Sequence, residues 1–498
     1  MPEGVTSSST PAVPLTRRHP RGLYTLFFTE MWERFSYYGM RALLVLFMVD
    51  AVRGGMGMTD KVATAIYGLY TAAVYLAALP GGWVADRLLG AQRAVWYGGM
   101  IIAAGHFTLA IPRTETFYLG LLLVVLGTGL LKPNVSAMVG DLYPEGGARR
   151  DAGFSIFYMG INLGAFIGPL VCSTLGEKIN WHYGFGAAGV GMVLGLIQYR
   201  LTQKHLGNAG LISAREKRLT SAQCAAFLGV GIAIVLIVTL TLAGIIKINP
   251  VAVAGGTTTF IVAMAVLFFA GALLFFGLDK IEKQRVLVII VLFISAALFW
   301  SGFEQAGSSF NLFAERYTVR YAALFHYEFP AGWFQSLPAI FIIMFAPVMA
   351  AVWVRLARRN LEPSLPVKFG LGLVLLGAGF LVMAAASTVI AGGQKVWPTW
   401  LITTYLINTF AELCVSPVGL SAVTKLAPRR LVGQMMGAWF LAASLGNLLA
   451  GLLAGQFKAD QLPQWPGLFL KIAIAPAAAG MLLILFRKPI KRMMHGVS

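Results

Sequence analysis

Apolar residues run along the chain in long blocks, separated by short polar or charged breaks. The blocks cover about 24–49, 62–84, 94–112, 117–139, 153–174, 182–201, 223–246, 257–278, 287–313, 332–354, 367–391, 397–423, 432–455 and 467–486. Each approaches the roughly 20 residues that a helix needs to cross the hydrocarbon core of a bilayer. About fourteen such blocks occupy nearly the whole chain and leave no room for a separate soluble domain. The pattern predicts an all-α polytopic membrane protein.

Two breaks are more polar than the rest. Residues 202–222, "TQKHLGNAGLISAREKRLTSA", follow the sixth block, and 279–286, "DKIEKQRV", precede the ninth. The two blocks between them carry no ionisable residue, which suits a lateral hairpin outside any site. Six blocks then remain on either side, the arrangement of two pseudo-symmetric bundles with a cavity between them. The expected organisation is a disordered cytoplasmic tail at 1–22, an N-terminal six-helix bundle at 23–202 and a linker with two extra helices at 203–286. A C-terminal six-helix bundle at 287–487 and a cytoplasmic tail at 488–498 complete it.

Composition agrees with the pattern. Of 498 residues 58% are apolar and only 12% charged, against about a quarter charged in soluble proteins. The formal charge of +19 raises the question of nucleic acid, but the positions of the charges answer it. With the N-terminus inside and sides alternating, about 26 of the 39 Lys and Arg fall in inner loops and about ten in outer ones, as the positive-inside rule requires. The charge is topological: the partner is a lipid bilayer, with no nucleic acid, and both termini are expected in the cytoplasm at the plasma (inner) membrane. No cleavable signal peptide is evident in the polar first twenty residues. Cys172, Cys224 and Cys414 all fall in apolar blocks, a pattern that suits neither a disulfide framework nor a metal cluster.

The first block, "FFTEMWERFSYYGMRALLVLFM", holds Glu30, Glu33, Arg34 and Arg41. Ionisable groups at that depth are costly, so they face a cavity or a partner. At about 100° per residue, Glu30, Glu33, Arg34, Tyr37, Tyr38 and Arg41 share one arc of about 140°, a polar stripe about 16 Å long. Further blocks add Lys132 before Pro133, Glu304 in "FWSGFEQAGSSFNLF" and Glu412 in "NTFAELCVSPVGLS". Four carboxylates thus stand against three cations. Proton uptake relieves such a buried excess of negative charge, which is what a proton-coupled carrier needs. Competing readings stand beside this one. Glu30 and Glu33 are also placed to cap a helix end, Lys132 to snorkel to an interface, and Tyr75 and Trp439 simply to pack. His106, alone in the third block, reads as a buried, hydrogen-bonded histidine.

"EMWERFSYY" resembles the ExxERFxYY motif of the proton-dependent oligopeptide transporter family, a branch of the major facilitator superfamily. "DAGFSIFYMGINLGAFIGP" is similar to its fifth-helix signature. "GTGLLKPNVS", "FEQAGSS", "WFQS" and "AELCVSPVGLS" match family segments in the expected order. The loop "GGWVADRLLGAQR", with Gly82, Asp86, Arg87, Gly90 and Arg93, resembles the superfamily's loop signature. The resemblance runs from about residue 20 to 487, and the extra hairpin resembles the bacterial fourteen-helix members.

That resemblance implies the major facilitator fold, two six-helix bundles plus a two-helix lateral insertion, and symport of di- and tripeptides with protons by alternating access. Protons are then the coupling ion, with no other cofactor, and the transporter is expected to be monomeric. Glu30, Glu33 and Arg34 match the proton-coupling motif, with Lys132 the expected partner of its carboxylates and Glu304 alternating with Arg41. Arg41 and Lys132 match positions facing the peptide carboxylate, and Glu412 the residue that receives the peptide amine. Asn162 matches an amide that holds peptide polar groups. Tyr37, Tyr38, Tyr75 and Trp439 match pocket walls, and Ser416 lies beside Glu412 in the matching segment. One segment departs from the family: in "WFQSLPAIFII", Pro338 and Ala339 stand where the family has Asn-Pro. That shifts amine recognition toward Glu412 or alters specificity. A carrier of another small solute, such as nitrate, a modified amino acid or a drug, is the alternative on the same fold. An intramembrane enzyme lacks support, since no HExxH, paired histidines or GxSxG occurs. A channel or receptor leaves unbalanced charges in both halves unexplained.

Overall fold

The computed structural model describes residues 18–145, 147–211 and 247–497, together with 229, 236, 240, 241 and 245. Among them the α-helices are α1 Arg21–Val49, α2 Asp60–Val84, α3 Ala91–Leu109, α4 Thr114–Asp141, α5 Gly147–Lys178, α6 Trp181–Thr202, α7 Pro250–Phe275 and α8 Lys280–Phe303. They continue with α9 Ser309–Tyr317, α10 Leu337–Arg358, α11 Leu365–Ala391, α12 Thr399–Leu426, α13 Val432–Ala454, α14 Trp465–Leu485 and α15 Arg487–Met493. Between α9 and α10 a short hairpin pairs Tyr321–Ala322 with Tyr327–Glu328. Among the described residues, ten helical stretches are long and apolar enough to cross a membrane. The chain is a multi-pass membrane protein. Most of the apolar block at 223–246, Cys224 included, lies outside the described residues.

Several helix ends differ from the apolar blocks for local reasons. The charged stretch before the ninth block is helical, because Asp279 and Glu282 form a capping box that starts α8 at Lys280. Asn249 caps α7, with Pro250 in the first turn. The ninth block is two helices. In "SGFEQAGSS" the chain tightens to a 3₁₀ turn over Glu304–Gly307, and Ser308 leaves helical geometry altogether at φ −124°, ψ −95°. Pro338 falls in the first turn of α10, where its missing N–H leaves no broken bond, so the altered segment still enters the helix cleanly. Much of the expected C-terminal tail is the helix α15.

Helices α1 to α6 pack into one bundle and α8 to α14 into a second, the arrangement expected of the major facilitator fold. Backbones approach closely where glycines face each other. A Cβ on Gly98 would meet Gly127 O at 2.7 Å in the α3–α4 seam, and one on Gly480 would meet Gly370 O at 2.5 Å in the α11–α14 seam. Without a hydrophobic drive between helices in lipid, such close van der Waals seams hold the bundles together. The inserted α7 leans on α2 and α13, at the side where the bundles meet.

The bundles are joined at the end where α1 finishes and α2 begins. Arg316, closing α9, grips both oxygens of Asp60 at the start of α2, at 2.7 and 2.8 Å. Asn311 donates to Ala42 O at 2.8 Å. α1 and the α8–α9 rod therefore start at the same end of the fold. Arg285, near the start of α8, donates to His495 O, so the C-terminal segment lies at the end where α1 starts.

Candidate functional site

α1 runs through the middle of the first bundle, enclosed along nearly its whole length. Its polar stripe is therefore enclosed by protein. Glu33 is fully buried, and Glu30, Arg34, Tyr37 and Arg41 are each no more than 6% exposed, with Tyr38 half-buried. Spacing of four residues brings the Arg34 guanidinium to Glu30, with Nε 3.2 Å from Oε1. The same Nε bonds the neighbouring Glu33. Two carboxylates thus share one guanidinium, and Glu30 Oε2 and Glu33 Oε1 have no hydrogen-bond partner among the described residues. Arg34 is the residue that forms ion pairs with both carboxylates among the described residues.

Two turns further along, Arg41 reaches out of its bundle. Its Nη2 lies 2.9 Å from Glu304 Oε2, at the start of the 3₁₀ break after α8. A buried ion pair gains little over an apolar contact once desolvation is counted, yet removing one partner costs about 3–5 kcal/mol. Such a pair is a poor rivet and a good switch. The Arg34 guanidinium also lies 5.2 Å from the Tyr37 ring centroid, and that of Arg41 5.5 Å from Tyr38, contacts that favour a desolvated cation.

Lys132 departs from the sequence expectation. The pairing of Glu30 and Glu33 is made by Arg34 of their own helix, while the Lys132 ammonium in α4 sits over the Tyr75 ring at 4.3 Å. Its charge still acts on both carboxylates, without an ion pair among the described residues. The i,i+4 spacing on α1 brings Arg34 to Glu30, and Glu33, its neighbour in sequence, bonds the same Nε.

Glu412, half-buried in α12, lies within electrostatic reach of Glu304 and Arg41, and Tyr158 of α5 is within reach of Glu412 and Tyr38. Ser416, one turn on, is also half-buried, and its hydroxyl has no hydrogen-bond partner among the described residues. Asn162 donates to Tyr158 O of its own helix at 2.9 Å, which leaves its amide oxygen for other contacts. Trp439 packs edge-on to Phe369, 6.3 Å between ring centroids, and against the backbone at Gly419. It is wedged into the second bundle. His106 is buried, but neither ring nitrogen is hydrogen-bonded among the described residues; the adjoining α3–α4 seam is built from Gly105, Gly120 and apolar side chains.

Three groups escaped the sequence reading. Tyr67 and Tyr70 project from α2 into the stripe: Tyr67 accepts a hydrogen bond from Arg41 Nε at 2.7 Å, and Tyr70 stacks on Tyr37. Their spacing of three residues with Tyr75 beyond was the available signal. Glu177, near the end of α5, is buried at the seam between bundles; as a charged residue just past the fifth apolar block it reads from sequence as a surface charge.

Residues 92–465 match the model of the POT family. The chain is 45% identical to a peptide transporter of Yersinia enterocolitica, over 99% of both chains. It is 37% identical to a di-/tripeptide transporter of Lactococcus lactis subsp. cremoris, over 96% of this chain and 97% of that one. Among solved structures it is similar to that of a peptide transporter POT in complex with sulfate, with a TM-score of 0.88, 42% identity and 96% of each chain covered.

Proposed function

The chain belongs to the POT family, and from that premise we propose that it is a proton-coupled symporter importing di- and tripeptides by alternating access. The observation that carries the reading lies on one face of α1. Two carboxylates share a single guanidinium there, and Arg41, two turns on, is paired across the bundles with Glu304.

A zwitterionic peptide needs a cation at one end and an anion at the other. Arg41, with Lys132 behind it, receives the carboxylate from the first bundle, and Glu412 receives the amine from the second. Tyr37, Tyr38 and Tyr75 line the space between, with Asn162 and Ser416 offering polar contacts. Trp439 supports the wall through Phe369. Glu304 then loses its partner to the peptide and is free to take a proton. Glu30 and Glu33, sharing Arg34, form the second proton-sensitive group. A buried pair of carboxylates that shares one guanidinium changes energy sharply when a proton neutralises one of them.

The joined end, where Arg316 holds Asp60, is the outside. The termini lie in the cytoplasm of a cell whose plasma membrane the chain spans, and the two bundles, 23–202 and 287–487, rock about the site. No cofactor enters the cycle beyond the proton, and a single chain suffices for transport.

The test is uptake of labelled dialanine into proteoliposomes under an imposed pH gradient and an inside-negative potential. Uptake that both gradients drive, and that di- and tripeptides compete away, is expected. Uptake indifferent to both gradients would overturn the proposal.

A further inference from the structure

Tyr67 is fully enclosed in α2 of the first bundle. Its hydroxyl oxygen accepts from Arg41 Nε at 2.7 Å, and its own proton is directed to the carbonyl of Glu304, 3.4 Å away in the second bundle. The Tyr67 ring lies 5.9 Å from the same guanidinium carbon. The guanidinium is thus divided between two tasks. Its Nε edge is committed to α2, while Nη2 faces Glu304 at 2.9 Å.

The two bonds belong to different bodies. Arg41 and Tyr67 share a bundle, so their bond survives any movement that draws Glu304 away. The bonds across the bundles do not survive it. Arg41 is long and has many rotamers, and a guanidinium left with no anchor at that moment would have to be ordered again by the substrate. Gly307 shows how tightly the contact is enclosed: a Cβ there would lie 2.6 Å from the phenol carbon Cζ and 2.9 Å from Arg41 Nε.

We infer that Tyr67 is a positioning residue for the substrate carboxylate: it holds Nε of Arg41 so that the Nη edge, once Glu304 releases it, is presented ready-made to a carboxylate. The inference rests on the reading that Arg41 takes the carboxylate. A guanidinium fixed at one edge pairs with a planar anion at lower entropic cost than a free one.

The experiment compares dialanine with its C-terminal amide as competitors of labelled dialanine, using reconstituted wild type, Tyr67→Phe, Tyr70→Phe and Arg41→Gln. The ratio of the two apparent affinities is read within each preparation, so it is independent of how much protein folds. Tyr67→Phe is expected to lose roughly tenfold for dialanine, the scale of a hydrogen bond to a charged group, and little for the amide. Its ratio moves toward that of Arg41→Gln. Tyr70→Phe removes a hydroxyl that has no hydrogen-bond partner among the described residues and is expected to keep the wild-type ratio. A wild-type ratio in Tyr67→Phe, with the ratio lost in Arg41→Gln, overturns the inference and leaves the role of Arg41 intact. An equal change in Tyr70→Phe also overturns it. A wild-type ratio in Arg41→Gln overturns the carboxylate reading itself, and the inference with it.

Discussion

Glu177 of α5 caps the backbone at Gly332 of the opposite bundle. Its carboxylate accepts from the N–H of Gly332 at 2.8 Å and from that of Ala331 at 2.7 Å, so a side chain of one bundle satisfies the orphan donors that begin the 3₁₀ turn Ala331–Ser336 leading into α10 of the other. The contact continues along one face of α5. Trp333 Nε1 donates to Thr174 Oγ1 at 3.0 Å and Leu170 O at 3.2 Å, and Ser336 Oγ donates to Phe166 O at 2.7 Å. Arg53 meanwhile donates to the carbonyl of Glu177 at 3.2 Å and closes the end of its helix. This seam must part whenever that end of the transporter opens.

Glu177→Ala leaves two buried N–H groups without acceptors, at a cost of about 1–3 kcal/mol each in the joined state alone. The equilibrium is expected to shift toward opening at that end. Spin labels at Val52 and Leu324, both exposed and on opposite bundles, should show a larger population at long distance. Glu177→Gln keeps one acceptor oxygen and should fall between. Unchanged distance distributions in both variants would show that the cap does not hold the seam.

Gly332 allows the seam to close. A Cβ there would lie 2.8 Å from Cβ of Ser173 and against its hydroxyl, too near for either backbone to yield cheaply. Gly332→Ala is expected to weaken the joined state by about 1–3 kcal/mol, the cost of overpacking. Ser173→Gly in the same chain should recover most of it. The double-mutant cycle, read with the same pair of labels, tests the contact; a rescue no better than additive refutes it.

Asp50, just beyond α1, governs a pH-dependent corner. Burial opposes its charge, but the Trp181 indole at 2.8 Å, the N–H groups of Val52 and Arg53, and the Arg53 guanidinium outweigh it. They hold its carboxyl below the usual carboxylate range. A depressed value in the folded state means that the stabilisation is complete above the unfolded value, about 3.9, and is lost as pH falls through the folded one. The difference in melting temperature between wild type and Asp50→Asn should therefore be constant from about pH 6 to 8 and shrink below about pH 4. A difference that instead grows with acidity would exclude this account.

The stripe on α1 was legible because helical periodicity fixes angular position, and ionisable residues so deep have few other uses. Glu30, Glu33, Arg34 and Arg41 fall where the spacing places them. Partner choice was less legible, because it depends on the rotation and depth of other helices. Lys132 reads as the partner of the carboxylates, yet Arg34 reaches them first. Tyr67 showed only as a spacing with Tyr70 and Tyr75, and acquires its meaning from the Arg41 Nε that reaches it. Glu177, just past an apolar block, acquires its meaning only when the second bundle brings Ala331 and Gly332 to it. The break at Glu304 was hinted at by its glycines and serines, but an apolar block gives no boundary inside itself.

Glu33 tests the link between the stripe and the coupling ion. It is fully buried beside Arg34, and its Oε1 has no hydrogen-bond partner among the described residues. Glu33→Gln is nearly isosteric and removes the protonatable group. Exchange of labelled for unlabelled dialanine across the membrane needs the bundles to rock with substrate bound, with no net proton movement. Accumulation against a gradient needs the proton. If Glu33 takes part in coupling, Glu33→Gln should lose gradient-driven uptake by about tenfold or more, matching coupling free energies of 1–3 kcal/mol, while exchange persists near the wild-type rate. Equal loss of both activities would mean that Glu33 holds Arg34 in place or binds substrate. Retention of both would move the coupling to Glu304, whose pairing with Arg41 is then the switch that the proton throws.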